Sequence, residues 1–287
     1  MKKQIQLLII DPQNDFCDLP ESWQPANPLT EQRIASALPV AGAHADMQRL
    51  AGLIRAGKNG ISDIIVTLDS HHRVDVAHPP FWVQADGSAV SPFTVISAQQ
   101  VRAGLYRPRK ADALPRVLAY LDELEAQARY SLMIWPVHCE IGTWGHNVHT
   151  DVQAACNAWE ESRLSIVKQV YKGANPWTEH YSAMQAEVPD DEDPDTQLNQ
   201  CLIAQLDQAD VLLIAGEASS HCVKATTEHI VDNLPSKQLS KIILLTDCMS
   251  PVGGFEQQAE SFLAAMRGRG VQLATSQDVL PQLLSNT

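Results

Sequence analysis

No apolar run in this sequence approaches the roughly 20 residues that a membrane span needs. The longest, such as IQLLII at residues 5–10 and VLLIA at 211–215, are the size of strands. There is also no CxxC pair and no disulfide-scaffold spacing, because the six cysteines at 17, 139, 156, 201, 222 and 248 are scattered. That pattern fits thiols kept reduced, so a cytoplasmic protein is expected, and any cysteine that matters is expected to matter chemically. Basic residues are scarce too, with 21 Lys and Arg against 34 Asp and Glu. The formal net charge of -13 repels phosphate backbones and anionic lipid, which argues against nucleic acid or a membrane as partner. The sharpest acidic cluster, PDDEDPD from Pro189 to Asp195, reads as solvated loop and a helix start. Internal repeats and low-complexity tracts are lacking as well.

What is present is ordinary for a folded soluble chain: 45% hydrophobic and 19% charged residues in a length of 287. One domain over residues 1–287 is the expectation, with loop-like insertions near residues 17–39 and 78–109, both rich in proline. The opening MKKQIQLLIIDPQNDF has basic residues first, but its apolar run is short for a secretory leader and ends in Asp without a small-residue cleavage site. It reads as a first strand.

Short β-rich runs alternate with segments of helical period, the pattern of βαβ units. The expected strands are Gln4 to Ile10, Asp63 to Leu68, Leu132 to Trp135, Ser165 to Val167, Val211 to Ala215, Lys241 to Thr246 and Val271 to Thr275. The expected helices are Ala45 to Ala56, Ala113 to Ala126, His149 to Ser162, Thr196 to Leu206, Ser219 to Asp232 and Phe255 to Arg267. This predicts an α/β fold, a doubly wound and mostly parallel sheet flanked by helices on both faces. Reactive groups in such folds gather at the carboxyl ends of the strands. Asp11, Asp69, His71, His138, Lys172 and Cys222 all follow expected strands.

Each of these has a chemical reading and a plainer one. A thiol in the first turn of a helix feels the positive end of the dipole, which predicts a lowered pKa for Cys222 and a nucleophile, whereas an isolated cysteine is more often a small buried hydrophobe. Cys139 also follows a strand and, like Cys222, has a histidine just before it, so local sequence does not choose between the two thiols. Asp11 is either a general base or a turn residue before Pro12, and Asp15 reads as a simple cap. In the run DSHH, alternation puts Asp69 and His71 on one side, where they could share a metal ion with His138. His78 is a further candidate ligand, and His72 reads as a loop residue. Lys172, in VYKGANPW, would alone be a solvated loop charge.

Taken together, LLIIDPQNDFC, TLDSH, WPVHCEIGTWG, VYKG with YSAM, and GEASSHCVKAT occur in order over most of the chain. In this conjunction the sequence resembles the nicotinamidase/pyrazinamidase branch of the isochorismatase-like cysteine hydrolases. The resemblance implies Asp11 as general base, Lys172 as catalytic lysine and Cys222 as nucleophile. It implies an oxyanion hole from the N–H groups of Ala218 and Cys222, with a cis peptide just before Ala218. Phe16 and Trp135 would sandwich a flat pyridine ring. Asp69, His71 and His138, with His78 as a further candidate, would hold a divalent metal, zinc first and iron or manganese as alternatives. The implied substrate is a small-molecule amide, nicotinamide in the first instance, hydrolysed through a thioester without an organic cofactor.

The longer insertions put the identity of the amide in question more than the chemistry, so another small amide or carbamoyl compound is the nearest alternative. A non-enzymatic metal or redox module is the alternative from a different class, although a structural zinc site usually has four protein ligands and more sulfur. Homo-oligomers are common in folds of this kind, so self-association is a further expectation.

Overall fold

The computed structural model describes residues 2–286. Its centre is a six-stranded sheet in which every neighbouring pair is parallel. The strands are β1 (Ile5–Ile10), β2 (Asp63–Asp69), β3 (Lys168–Lys172), β4 (Val211–Gly216), β5 (Ile242–Leu245) and β6 (Gln272–Ala274). Their spatial order is β6-β5-β4-β1-β2-β3, so the chain winds outward in one direction from β1 and in the other from β4. This is the doubly wound arrangement expected from the sequence. Its switch point lies where β1 and β4 end side by side, with Ile10 opposite Gly216.

The central strands are apolar because both faces are covered: every residue of β1 and β4 is buried. Burying one Leu or Ile side chain is worth about 1.5–3 kcal/mol, so these two strands anchor the core. Gly216 holds the switch point close. It has φ +119, and a Cβ there would lie 1.9 Å from the carbonyl oxygen of Ile10. The helix Ala43–Gly57 packs on Thr150–Arg163 and on Ser276–Ser285, while Cys222–Asn233 packs on Glu256–Gly268. Among the described residues no helix is long and apolar enough to cross a membrane, and all six cysteines are free.

Several elements depart from the expected pattern. The fourth strand forms over Lys168–Lys172 rather than Ser165 to Val167, and Ile166 is 82% exposed. This is an edge strand, and its place is set by pairing with β2, from Ile65 opposite Lys168 to Asp69 opposite Lys172, instead of by local apolarity. Lys172 is therefore the last residue of a strand and not part of the loop after it. The Leu132–Ile134 strand does not join the central sheet; it pairs antiparallel with Thr94–Ile96 from the second insertion. That insertion is structured, with a further antiparallel pair, Trp82–Gln84 and Tyr106–Pro108, and a short helix, Ala98–Arg102. The helix expected from Thr196 begins at Gln200, because Asn199 caps it through Leu202 N–H and Pro194–Thr196 forms a separate turn. The helix Ser276–Ser285 was not anticipated. Pro281 inside it argues against a helix, but Thr275 and Asp278 form a capping box at its start.

Candidate active site

At the switch point four of the expected residues meet. Lys172 Nζ is 2.9 Å from Asp11 Oδ2, 2.8 Å from Asp69 Oδ1 and 3.5 Å from Cys222 Sγ, and it also donates to the carbonyl of His180 at 3.0 Å. Each side chain arrives from the end of a different element. Asp11 follows β1 in the left-handed region, at φ 44, with its N–H bonded to Thr67 O and its Oδ1 accepting from Thr67 Oγ1 at 2.5 Å. Lys172 ends β3, and Cys222 opens the helix that follows β4. As the first helical residue, Cys222 has an N–H with no intrahelical acceptor. Ala218, four residues earlier, follows a cis peptide bond from Glu217.

The electrostatics correct one expectation. The Cys222 thiol is held well above its ordinary pKa, first by burial, with the Lys172 ammonium pulling it down and Asp11 and Asp69 raising it again. A helix N-terminus does not make this thiol a resting thiolate, because removal from water outweighs it. Burial also raises Asp11, against the pull of Lys172. For Lys172 burial works the other way, but the two carboxylates outweigh it and keep the ammonium charged. The centre is thus a buried cation, Lys172, between two acids, Asp11 and Asp69, beside the protonated thiol of Cys222.

Next to it lies a cluster of imidazoles. His71, His78 and His138 are buried and offer nitrogens that all lie within 4.8 Å of one another. Asp69 Oδ2 is 3.0 Å from His71 Nε2 and 3.3 Å from His138 Nε2. The outer contacts orient the rings in a consistent way. Nδ1 of His71 faces Asp75 Oδ2 at 3.1 Å, Nδ1 of His78 faces the His72 carbonyl at 3.2 Å, and Nδ1 of His138 faces the Pro136 carbonyl at 2.8 Å. The Nδ1 atoms face oxygens, and the Nε2 atoms of His71 and His138 converge on Asp69 Oδ2. Burial works against the charge on His71, but the carboxylates of Asp69 and Asp75 on either side outweigh it and hold the ring well above its ordinary value, so it carries hydrogen on both nitrogens, and an ion bound there would displace the one on Nε2. His78, with burial first and the neighbouring histidines second, is depressed to about 2 and is neutral. The donor set of three imidazoles and one carboxylate therefore fits a divalent ion of the zinc or iron kind. His72 is exposed, as expected of a loop residue.

Phe16, Trp135, Leu38, Tyr181, His221 and Ala218 line a cavity with Cys222 at its wall and Asp69 and His138 at one side. Trp135 is fixed by its Nε1–H donating to Tyr181 Oη at 3.0 Å, and Phe93 of the second insertion packs edge-on behind it at 6.0 Å. Leu38 comes from the first insertion, so that segment reaches the cavity directly. Asp15 proves to be more than a cap. Its carboxylate accepts from Cys139 N at 2.7 Å and Ala37 N at 3.0 Å, binding the first insertion to the loop that carries His138. Cys139 itself is buried, with its backbone N–H tied to Asp15 and its carbonyl to His71 N.

Asp75, Glu179, His180 and His221 escaped the sequence reading. For Asp75 the signal was available, since it lies four residues after His71. Glu179 and His180 are brought in by tertiary packing of a segment that looks like a loop, whereas His221 stands in the expected helix directly before Cys222 and was given no role of its own.

No protein-family model matches the sequence, and no curated protein matches it either. Solved structures do match in three dimensions. A nicotinamidase/pyrazinamidase from Acinetobacter baumanii superposes with a TM-score of 0.62 at 19% identity, covering 96% of this chain and 98% of that one. The yeast nicotinamidase bound to the inhibitor nicotinaldehyde gives 0.62 at 17% identity, covering 95% and 100%. A pyrazinamidase from Pyrococcus horikoshii in complex with zinc gives 0.51 at 18% identity, covering 95% and 99%. At such identities the likeness is one of architecture: this chain has the fold of the nicotinamidases and pyrazinamidases.

Proposed function

We propose that this protein is a metal-dependent cysteine amidohydrolase that converts nicotinamide to nicotinate and ammonia. One observation carries the reading: a single buried ammonium, Lys172, stands within 3.5 Å of Asp11, Asp69 and Cys222, next to three imidazoles oriented as ligands. Asp11 accepts the thiol proton, Lys172 holds the resulting negative charge, and Cys222 Sγ attacks the carboxamide carbon. The N–H groups of Ala218 and Cys222 are assigned to the oxyanion, a kind of contact worth about 3 kcal/mol per donor in acyl transfer. Asp11 returns its proton to the leaving nitrogen, and ammonia departs. Water then hydrolyses the thioester, with Asp11 again taking a proton. Phe16 and Trp135 bracket the ring. Asp69, His71, His78 and His138 would hold the ion, which as a Lewis acid would polarise whatever atom of the substrate or water it binds.

A second substrate reading has its own support, because Leu38 brings an inserted segment into the cavity wall. There the same residues would act on another small amide or carbamoyl compound. The deciding experiment is ammonia release by purified protein with nicotinamide, pyrazinamide and a panel of small amides, before and after chelation. Turnover of nicotinamide that falls on chelation and returns with metal is expected. Turnover confined to another amide would keep the chemistry and replace the substrate, and turnover of none would sink the proposal.

A further inference from the structure

His221 stands immediately before Cys222 and lines the same cavity, and its ring is enclosed by Trp135, Tyr181 and Phe255 at centroid distances of 5.2, 5.3 and 4.7 Å. Its Nδ1 lies 2.9 Å from Ser220 Oγ, and the same oxygen accepts the N–H of Val252 at 3.0 Å. Ser220 is buried, and its hydroxyl hydrogen has one acceptor within reach, His221 Nδ1. If that nitrogen carried a proton instead, the hydroxyl hydrogen would be left buried without a partner, which is the costly arrangement. Ser220 Oγ–H therefore donates to Nδ1. Burial, with Lys224 adding to it, depresses His221 to about 4, so the ring is neutral at pH 7 and its one hydrogen sits on Nε2. Among the described residues none is hydrogen-bonded to Nε2, and His221 lines the cavity.

Resting on the amidohydrolase reading, we infer that His221 is a specificity-determining residue whose Nε2–H donates to a ring acceptor of the substrate. Ser220 is the positioning residue that sets this tautomer. A ring whose single acceptor is turned away from His221 leaves the donor unpaired, whereas a ring with a second acceptor on the His221 side satisfies it. The site thus favours diaza rings such as pyrazine carboxamides over pyridine carboxamides. A donor held in an enclosed cavity discriminates through what is left unpaired when the wrong ring binds.

Two measurements test this. In long-range 1H–15N spectra of the labelled protein, His221 should show a protonated Nε2 and a bare Nδ1, and Ser220→Ala should shift that balance; a bare Nε2 in the wild type overturns the inference. Separately, the ratio of kcat/KM for pyrazinamide to that for nicotinamide should fall about tenfold in His221→Phe, the size of one hydrogen bond, and recover in His221→Gln, which keeps an N–H donor. An unchanged ratio in His221→Phe, with both amides still hydrolysed, overturns the donor role while leaving the hydrolase reading intact. If the wild type hydrolyses neither amide, the hydrolase reading fails on its own, and the same ratio is then taken from the Kd values of the two amides, where an unchanged ratio again overturns the donor.

Discussion

The ammonium of Lys172 and the carboxylate of Asp11 form an ion pair at 2.9 Å with both side chains out of water, 1% and 0% exposed. Lys172 is also paired with Asp69, so one cation offsets two buried acids. Replacing Lys172 by Met leaves both carboxylates without a counter-charge, and loss of a buried partner costs about 3–5 kcal/mol. Asp11→Asn removes one acid and leaves the Lys172–Asp69 pair, so its fold should suffer less. Both variants should lose turnover by at least about a thousandfold, since each removes a group in contact with the reacting thiol. Urea unfolding beside an ammonia assay separates the two. Equal stability for Lys172→Met and the wild type would contradict the electrostatic role of this lysine.

The pH profile follows from the same centre. Burial holds Asp11 above the ordinary carboxylate value of 3.8, and the reaction needs it as an anion. Activity should therefore climb with pH through an acid limb lying above 3.8. Lys172 and Cys222 are both held well above their ordinary values of 10.5 and 9.0, so neither loses its proton near neutrality. A plateau from neutral to mildly alkaline pH is expected in kcat/KM, and a fall between pH 7 and 8 would count against these assignments.

How much of this was legible in the sequence varies with the kind of residue. Asp11 and Cys222 stand where buried strands end, and the order of β1 and β4 in an α/β fold brings such ends together, so chain pattern made them candidates; it did the same for Cys139, and only the family resemblance singled out Cys222 and gave Asp11 its role. Lys172 was found only through its company, since its strand is an edge strand with a polar sequence, KQVYK. The thiol pKa was misread because a helix N-terminus can be seen in a sequence and burial of the same atom cannot. The partner of Leu132–Ile134 lay within a segment that reads as loop, and the tautomer of His221 depends on Val252, 31 residues away along the chain.

Gly145 reports on the brace between the first insertion and the His138 loop. A Cβ at this position would lie 2.1 Å from Asp15 Oδ2, the oxygen that accepts Cys139 N–H. Gly145→Ala should push the carboxylate away, loosen the loop that carries His138, and lower both metal content and activity together. Asp15→Asn, which keeps an oxygen acceptor, should be milder. The check is metal content by elemental analysis of the two purified variants, and normal loading in Gly145→Ala would remove the brace from the account.

Asp75 touches no proposed substrate position, yet it faces His71 Nδ1 at 3.1 Å and also accepts Ala77 N–H through its other oxygen. Outer partners of this type typically change metal affinity about 10- to 100-fold when removed. Asp75→Asn should thus weaken binding of zinc by that factor, measured by competition with a chelator, and added metal should restore turnover. Unaltered affinity in Asp75→Asn would argue that His71 is not a ligand.

Glu187 supplies a prediction about stability that is independent of catalysis. Its side chain is fully buried, neither carboxylate oxygen has a hydrogen-bond partner, and the nearest cation, Arg129, stands at 3.8 Å. Burial raises its pKa from 4.5 to about 7, with Arg129 only partly offsetting the effect. The folded state binds this proton more tightly than the unfolded chain does, so the stability it contributes is fully present below pH 4.5 and lost as pH rises through about 7. The shift corresponds to about 3 kcal/mol. Glu187→Gln removes the titration, so the variant should gain stability relative to the wild type as pH rises from about 5 to 8. Thermal unfolding of both across that range decides it: melting temperatures that run parallel would mean that Glu187 keeps its proton throughout or has none to lose.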